Sequence, residues 1–393
     1  MTDPFVFHRP DLAKRLADMA LGLDPLGDGS GVFLAAPRRT GKSTFLKADL
    51  IPELRDRGAL PVYVDLWVDR ARDPGEIILE AIKAAIRQAD SGVMKLVRRS
   101  GLSKVGVGSW LAVDIDKIGK PGGATITEAV AHLVQKSTKP VVLIVDEAQH
   151  ATTSAAGANA MFALKSARDT LNIGAERSAV ANVQIGLVFT GSHRDKLASL
   201  VLGKSQPFFG ATVTAFPLLG KEFAQAYADY VNERLLPERR VDSQEVFDAF
   251  EVSAFRPELL QAAVKNYLFG DMGSKKPLPS LREHAVAARE KYWAEFDSIW
   301  STMTELQKAV LKRLVEQGDN YKPFDAEALE VYSSGTGQKV TTPDAQSALD
   351  SLREKGLVVR LERGRYTLED DSVGEWLAGR FHEATSGLSD GPG

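Results

Sequence analysis

Residues 33–46 read FLAAPRRTGKSTFL: a short apolar run, a loop containing Gly41, then Lys42, Ser43 and Thr44 opening a helical stretch. No other feature constrains the fold as much. A strand, a glycine-bearing loop and a helix N-terminus in direct succession aim several backbone N–H groups and the positive end of a helix dipole at one point. The pattern G-x-x-x-x-G-K-[ST] is matched from Ala36 to Ser43 except at its first position, where alanine replaces glycine. Alanine is the smallest replacement and is tolerated if that residue keeps φ negative. Gly41 permits close backbone approach, Lys42 reaches β- and γ-phosphates, and the Ser43 hydroxyl ligates Mg²⁺. Ala36, Pro37, Arg38, Arg39, Thr40, Gly41, Lys42, Ser43 and Thr44 are therefore expected to hold a nucleoside triphosphate. No guanine-reading motif is present, which favours ATP.

Two further segments extend the site. VVLIVDEAQH (141–150) is an apolar strand ending in an acid pair. Asp146 is expected to hold Mg²⁺ through water and Glu147 to polarise the attacking water. LVFTGSHRDKL (187–197) is a strand expected beside the loop strand, with Thr190 or Ser192 pointing at the γ-phosphate.

Apolar runs at 31–36, 60–67, 140–148 and 182–192 alternate with amphipathic stretches at 10–22, 42–58 and 73–89, the second kinked or broken before Pro52. Such alternation predicts an α/β fold, a parallel sheet with helices on both faces. From about Pro217 the strand signal disappears. Helices are expected at 221–236, 243–254 and 257–269, forming a small helical lid, and 270–280 reads as a linker. Three helices (306–318, 325–333, 342–356) and two strands around a turn at Arg363 and Gly364 then give the winged-helix pattern. The expected domains are 1–216, a P-loop ATPase core, 217–280, lid and linker, and 281–393, a winged helix.

Composition excludes several classes. The chain of 393 residues carries a formal net charge of -3, so it has no global field drawing it to nucleic acid or acidic lipid. It has no cysteine, which removes disulfides, thiolate zinc sites and cysteine nucleophiles. No apolar segment approaches the ~20 residues needed to span a bilayer, and MTDPFVFHRPDLAKRL lacks a signal-peptide run. The expectation is a soluble, cytoplasmic protein.

FHRPDLAKRL (7–16), APRRTGKSTFL (36–46), LIVDEAQ (143–149), FTGS (189–192), FRPELLQ (255–261) and the C-terminal pattern together resemble the AAA+/STAND-type ATPases, in particular their archaeal-ATPase group. The resemblance covers most of the chain. It implies ATP hydrolysis with Lys42 and Glu147 catalytic, Phe7, His8 and Arg9 near the adenine, and Arg256 and Pro257 in the lid, where Arg256 reports on the γ-phosphate. Relatives often carry an arginine finger before the segment matching 216–223. Residues 206–219 contain none here, leaving Arg194 and Lys204 as substitutes.

Two surfaces are candidates for a partner. Residues 94–120 cluster Lys95, Arg98, Arg99 and Lys104 near Trp110, suited to a nucleic-acid backbone or simply to a solvated helix face. In the winged helix, Arg360, Arg363 and Arg365 lie on the hairpin. The helix that would enter a groove carries Asp344, Asp350 and Glu354 against Arg353 and Lys355. DNA, an unidentified protein and further copies of the chain are the expected partners. The alternatives to a nucleotide-driven switch are a DNA-binding ATPase of replication, transposition or defence type and a nucleotide-binding scaffold with little turnover.

Overall fold

The computed structural model of the chain describes residues 5–25, 27, 29–69, 72–100, 125–173, 181–192, 194–237, 240–269, 279–362, 364–370 and 372–386, with backbone alone at 90–100, 361–362 and 381–386. The apolar runs form β1 (Val32–Ala35), β2 (Leu60–Asp65), β3 (Val141–Asp146) and β4 (Ile185–Gly191). A fifth strand, β5 (Val213–Ala215), was not expected from the sequence. At three residues it is too short for a pattern, and its pairing with Phe33, Leu34 and Ala35 defines it. All pairs are parallel, in the order β2-β3-β4-β1-β5.

Side-chain alternation along these strands explains why both faces are covered. Val142 and Ile144 of β3 join Val32 and Leu34 against α1 (Pro10–Ala20), α2 (Lys42–Phe45) and α3 (Ile51–Asp56). Val141, Leu143 and Val145 join Phe33 and Ala35 against α4 (Pro74–Ser100), α5 (Ile126–Ser137) and α6 (Ala155–Asn172). Strands apolar at every position are buried on two sides. Between α2 and α3, Leu46–Leu50 forms a π-turn. The expected break before Pro52 is therefore a widened turn in one helical run, with Pro52 as the second residue of α3.

After β4 comes the short α7 (Arg194–Ala198), then the three helices expected to form a lid, α8 (Lys221–Asn232), α9 (Ser243–Val252) and α10 (Pro257–Phe269). Phe223, Tyr227, Phe250 and Leu260 centre their core, against which Phe5 and Phe7 pack. Next is α11 (Leu281–Ser301), unread in the sequence although Ser280 and Glu283 form a capping box. Its first residues, Leu281 and Ala285, join the lid core. Phe296 joins a separate core with α12 (Glu305–Gln317), α13 (Ala326–Thr336) and α14 (Thr342–Glu354). The hairpin β6 (Val358–Glu362) and β7 (Arg365–Leu368) follows, then α15 (Ser372–Ser386). Most of the expected linker, 270–278, lies outside the described residues, as do 101–120 with Lys104 and Trp110, and Arg363. The side chains of Lys95, Arg98 and Arg99 are likewise outside them. Among the described residues no helix is long and apolar enough to cross a membrane.

The C-terminal elements meet the core at α7. Arg353 of α14 donates to Asp195 at 2.7 Å, and the Arg194 N–H donates to Glu369. Burial pushes the Glu369 carboxyl up to about 8; the Arg194 and Asp195 N–H groups oppose this, and Asp195 and Asp370 add to it. An unfolded glutamate titrates near ~4.3. Between those values the folded chain holds a proton that the unfolded chain has lost, so stability falls as pH rises from about 4.5 to 8. Glu369→Gln keeps the acceptor and lacks the titration. Melting curves at pH 5 and pH 8 are expected to show the wild type losing stability relative to the variant. Equal shifts in both would refute the assignment.

Candidate active site

The loop leaves β1 and closes on α2 with positive φ at Arg39 (68°) and Gly41 (86°). Alternation of this kind curls successive N–H groups inward into an anion-binding nest. Ala36 is not among the positive-φ residues, so its methyl group is accommodated. The requirement for glycine at Gly41 is conformational, since a Cβ there would meet nothing nearer than Leu219 at 3.8 Å. Thr40 ties the loop by donating to the Pro37 carbonyl at 2.8 Å. A cavity of about 330 Å³ results, lined by residues 37–44, Trp67 and Glu147.

The sheet brings the acids to this loop. Because β4 lies between β1 and β3, the end of β3 faces α2 across one strand. Ser43 donates to Asp146 Oδ2 at 2.6 Å, Tyr63 to the same oxygen at 3.0 Å, and Thr190 to Oδ1. Burial, then Asp146 and Asp65, raise the Tyr63 phenol, which keeps it a donor. Asp146 is 1% exposed, so its charge depends on these partners and on Lys42, whose Nζ is 3.6 Å away.

Glu147 follows the strand in the left-handed region, φ 56°, a strained setting of the kind that collects at functional sites. Its Oε1 accepts from Lys42 at 2.9 Å, and its Oε2 from Ser192 and Gln149, both at 2.6 Å. Burial alone would raise its pKa, but Lys42, Ser192 and Gln149 together lower it to about 2. Of the two hydroxyls expected to face the γ-phosphate, Thr190 donates to Asp146 and Ser192 to Glu147. Tyr63, Gln149 and Trp67 were not singled out in the sequence. Gln149 closes the LIVDEAQ segment, which was the signal available for it.

The remaining candidates stand outside the cavity lining. His8 Nδ1 is 2.6 Å from Asp49 Oδ1 in the π-turn, and the Arg9 N–H donates to the other oxygen at 3.3 Å. The Arg9 guanidinium donates to the Pro217 carbonyl at 2.7 Å and lies over the Phe216 ring. These contacts fasten the N-terminal strap where the lid begins. Arg256 precedes α10, 2% exposed, paired with Asp370 and 4.7 Å from the centre of the Tyr292 ring. Arg39 reaches the same ring at 5.5 Å and pairs with Glu258 at 3.3 Å.

Ser43 and Asp146 suit a hard divalent cation, being oxygen donors within one hydrogen bond of each other. Among the described residues no cluster of three or more His, Cys, Asp or Glu is placed to bind a metal, so phosphate and water oxygens would complete the coordination.

No family model matches the chain, and no curated protein matches it. Among solved structures, the ORC2 protein of Aeropyrum pernix, described in ADPNP-ADP complexes, aligns with a TM-score of 0.52 at 14% identity over 96% of this chain and 94% of that one. The fold is of the AAA+ type. The ORC1 protein of the same organism, in complex with DNA, aligns at TM-score 0.41 and 16% identity over 96% and 94% of the two chains. AMPPCP-bound DnaA from Aquifex aeolicus aligns at 0.33 and 13%, over 90% of each. Within this AAA+-type core, the loop of β1 and the acids of β3 lie at the same end of the sheet.

Proposed function

We propose that the chain is a STAND-like ATPase that binds ATP with Mg²⁺ in the 36–44 loop and hydrolyses it to switch a partner-binding surface. The convergence of Lys42 and Ser43, at one helix N-terminus, on Asp146 and Glu147 supports this reading above all. Loop N–H groups and Lys42 hold the phosphates; Ser43 and Asp146 would hold Mg²⁺, which offsets phosphate charge when bound. A water oxygen bonds to the terminal phosphorus in line with the bridging P–O bond, which breaks with its electron pair leaving on ADP. Glu147 accepts the hydrogen bond that aims this water, and the proton ends on the released phosphate. Lys42 must turn from Glu147 toward phosphate for this to happen, which returns the carboxylate to basicity. Lys42→Ala is expected to lose retention of labelled ATP at least tenfold along with turnover. A variant that binds and turns over ATP normally would end this reading.

The C-terminal elements act in this proposal as a winged helix used for protein docking. The acids Asp344, Asp350 and Glu354 on α14 repel a DNA backbone, and Arg353 is engaged by Asp195. Duplex DNA is expected to leave ATP turnover unchanged, while light scattering reports assembly that depends on nucleotide. Salt-sensitive stimulation by DNA would favour the DNA-acting alternative instead.

A further inference from the structure

We infer that Arg38 is a catalytic cation for the terminal phosphate, supplied by the loop to its own nucleotide; this rests on the ATPase reading above. Three cations line the cavity: Arg38, Arg39 and Lys42. Lys42 is paired with Glu147 at 2.9 Å and Asp146 at 3.6 Å, and Arg39 is drawn out of the loop by Glu258 at 3.3 Å and Glu295 at 3.9 Å. Arg38 has no carboxylate within ion-pair distance among the described residues. Its guanidinium instead lies 4.7 Å from the centre of the Trp67 ring.

That ring fixes where Arg38 acts. Trp67 follows β2 and Glu147 follows β3, the two strands farthest from β5 in the sheet order. The loop N–H groups and Lys42 hold the phosphate chain, and Glu147 marks the end where water attacks. Arg38 leans toward that end. Trp67 is itself braced, its N–H donating to Asp65 at 2.9 Å and its ring tilted against His150 at 4.4 Å. A guanidinium stacked on an aromatic face keeps its N–H edge free, and that edge matches two phosphate oxygens at once. An ammonium group lacks both the flat face and the fork.

The assignment also accounts for the missing finger. Residues 206–219 carry no arginine. Arg194 lines a different cavity, with Val359, Thr367 and Glu369 of the C-terminal elements, and Lys204 is exposed. A cation held over the terminal phosphate stabilises charge that grows in the transition state, and removing one such donor slows reactions about 10²- to 10³-fold.

The test uses the full chain with Arg38→Ala, Arg38→Lys and Trp67→Ala, measuring ADP and ATP affinity alongside turnover per protomer. Arg38→Ala is expected to keep ADP affinity within about twofold while turnover falls about 10²-fold or more. Arg38→Lys is expected to fail to restore the rate, and Trp67→Ala to lower it about tenfold. Mixing the Arg38→Ala and Lys42→Ala proteins should restore nothing, because the arginine serves its own site. Wild-type turnover in Arg38→Ala overturns the assignment and leaves the ATPase reading intact. Equal loss of ADP and ATP would make Arg38 a general phosphate contact, and recovery on mixing would make it a neighbour's residue; either overturns it. A wild-type chain that retains no ATP removes both readings.

Discussion

Glu147→Gln is expected to lower ATP turnover by about 10²- to 10⁴-fold, the range for a group that handles a proton in the transition state, while the protein holds ATP more tightly. The two effects have one origin. Lys42 is 6% exposed and divides its charge between Glu147 at 2.9 Å and Asp146 at 3.6 Å. A triphosphate must break the first of these pairs before it gains the lysine. Glutamine keeps the shape of the side chain but removes the charge, so Lys42 is freed and the water loses the carboxylate that polarises it. Single-turnover measurements with labelled ATP, followed by retention after dilution, read both effects. Turnover near the wild-type rate, or weaker ATP retention than wild type, would refute the geometry. The lowered pKa adds a constraint: with Glu147 at about 2, its carboxylate stays charged across the neutral range. Stability from this group is complete above the unfolded value of ~4.3 and is lost as pH falls toward 2.

Asp370→Ala is expected to destabilise the protein by about 3–5 kcal/mol, the typical cost of stranding a buried charge. Its partner Arg256 is 2% exposed, stacked on Tyr292, and has no other carboxylate within ion-pair distance among the described residues. Asp370 also accepts from the Tyr292 hydroxyl at 3.1 Å and from the Ser372 N–H at the start of α15 at 3.0 Å. Its loss therefore loosens lid, α11 and C-terminal helix together. Replacing both partners, Arg256→Met with Asp370→Leu, is expected to recover most of the loss, since it removes the charge rather than isolating it. Urea denaturation of the wild type, Arg256→Met, Asp370→Leu and the double variant gives the coupling energy. Additive effects of the two single changes would mean that the pair contributes nothing.

The 36–44 loop and both acids, which the structure brings together, were legible in the sequence because each is local: Gly41-Lys42-Ser43 and Asp146-Glu147 are each contiguous, and the strands before them are apolar throughout. The parallel sheet followed from the same runs. Other features are set by the fold. Tyr63 and Ser192 grip the acids from neighbouring strands, and no spacing in the chain announces which acid each one meets, while Gln149 reaches Glu147 from two residues on. Trp67 reads as one aromatic among several until the sheet order sets it beside Glu147. β5 escaped because three residues carry no period, and α11 because its apolar positions serve two different cores. His8 and Arg9 were assigned by resemblance, and their contacts with Asp49 and Pro217 involve residues distant in sequence.

That double service of α11 has a mechanical result. A helix of 21 residues is a rod of roughly 30 Å at ~1.5 Å per residue, one end embedded among Leu281 and Ala285 and the other around Phe296. With no joint between those ends, tilting the lid by about 10° swings the far end through roughly 5 Å, by the same rise per residue. A small adjustment at the end near Leu281 thus becomes a displacement large enough for another molecule to feel.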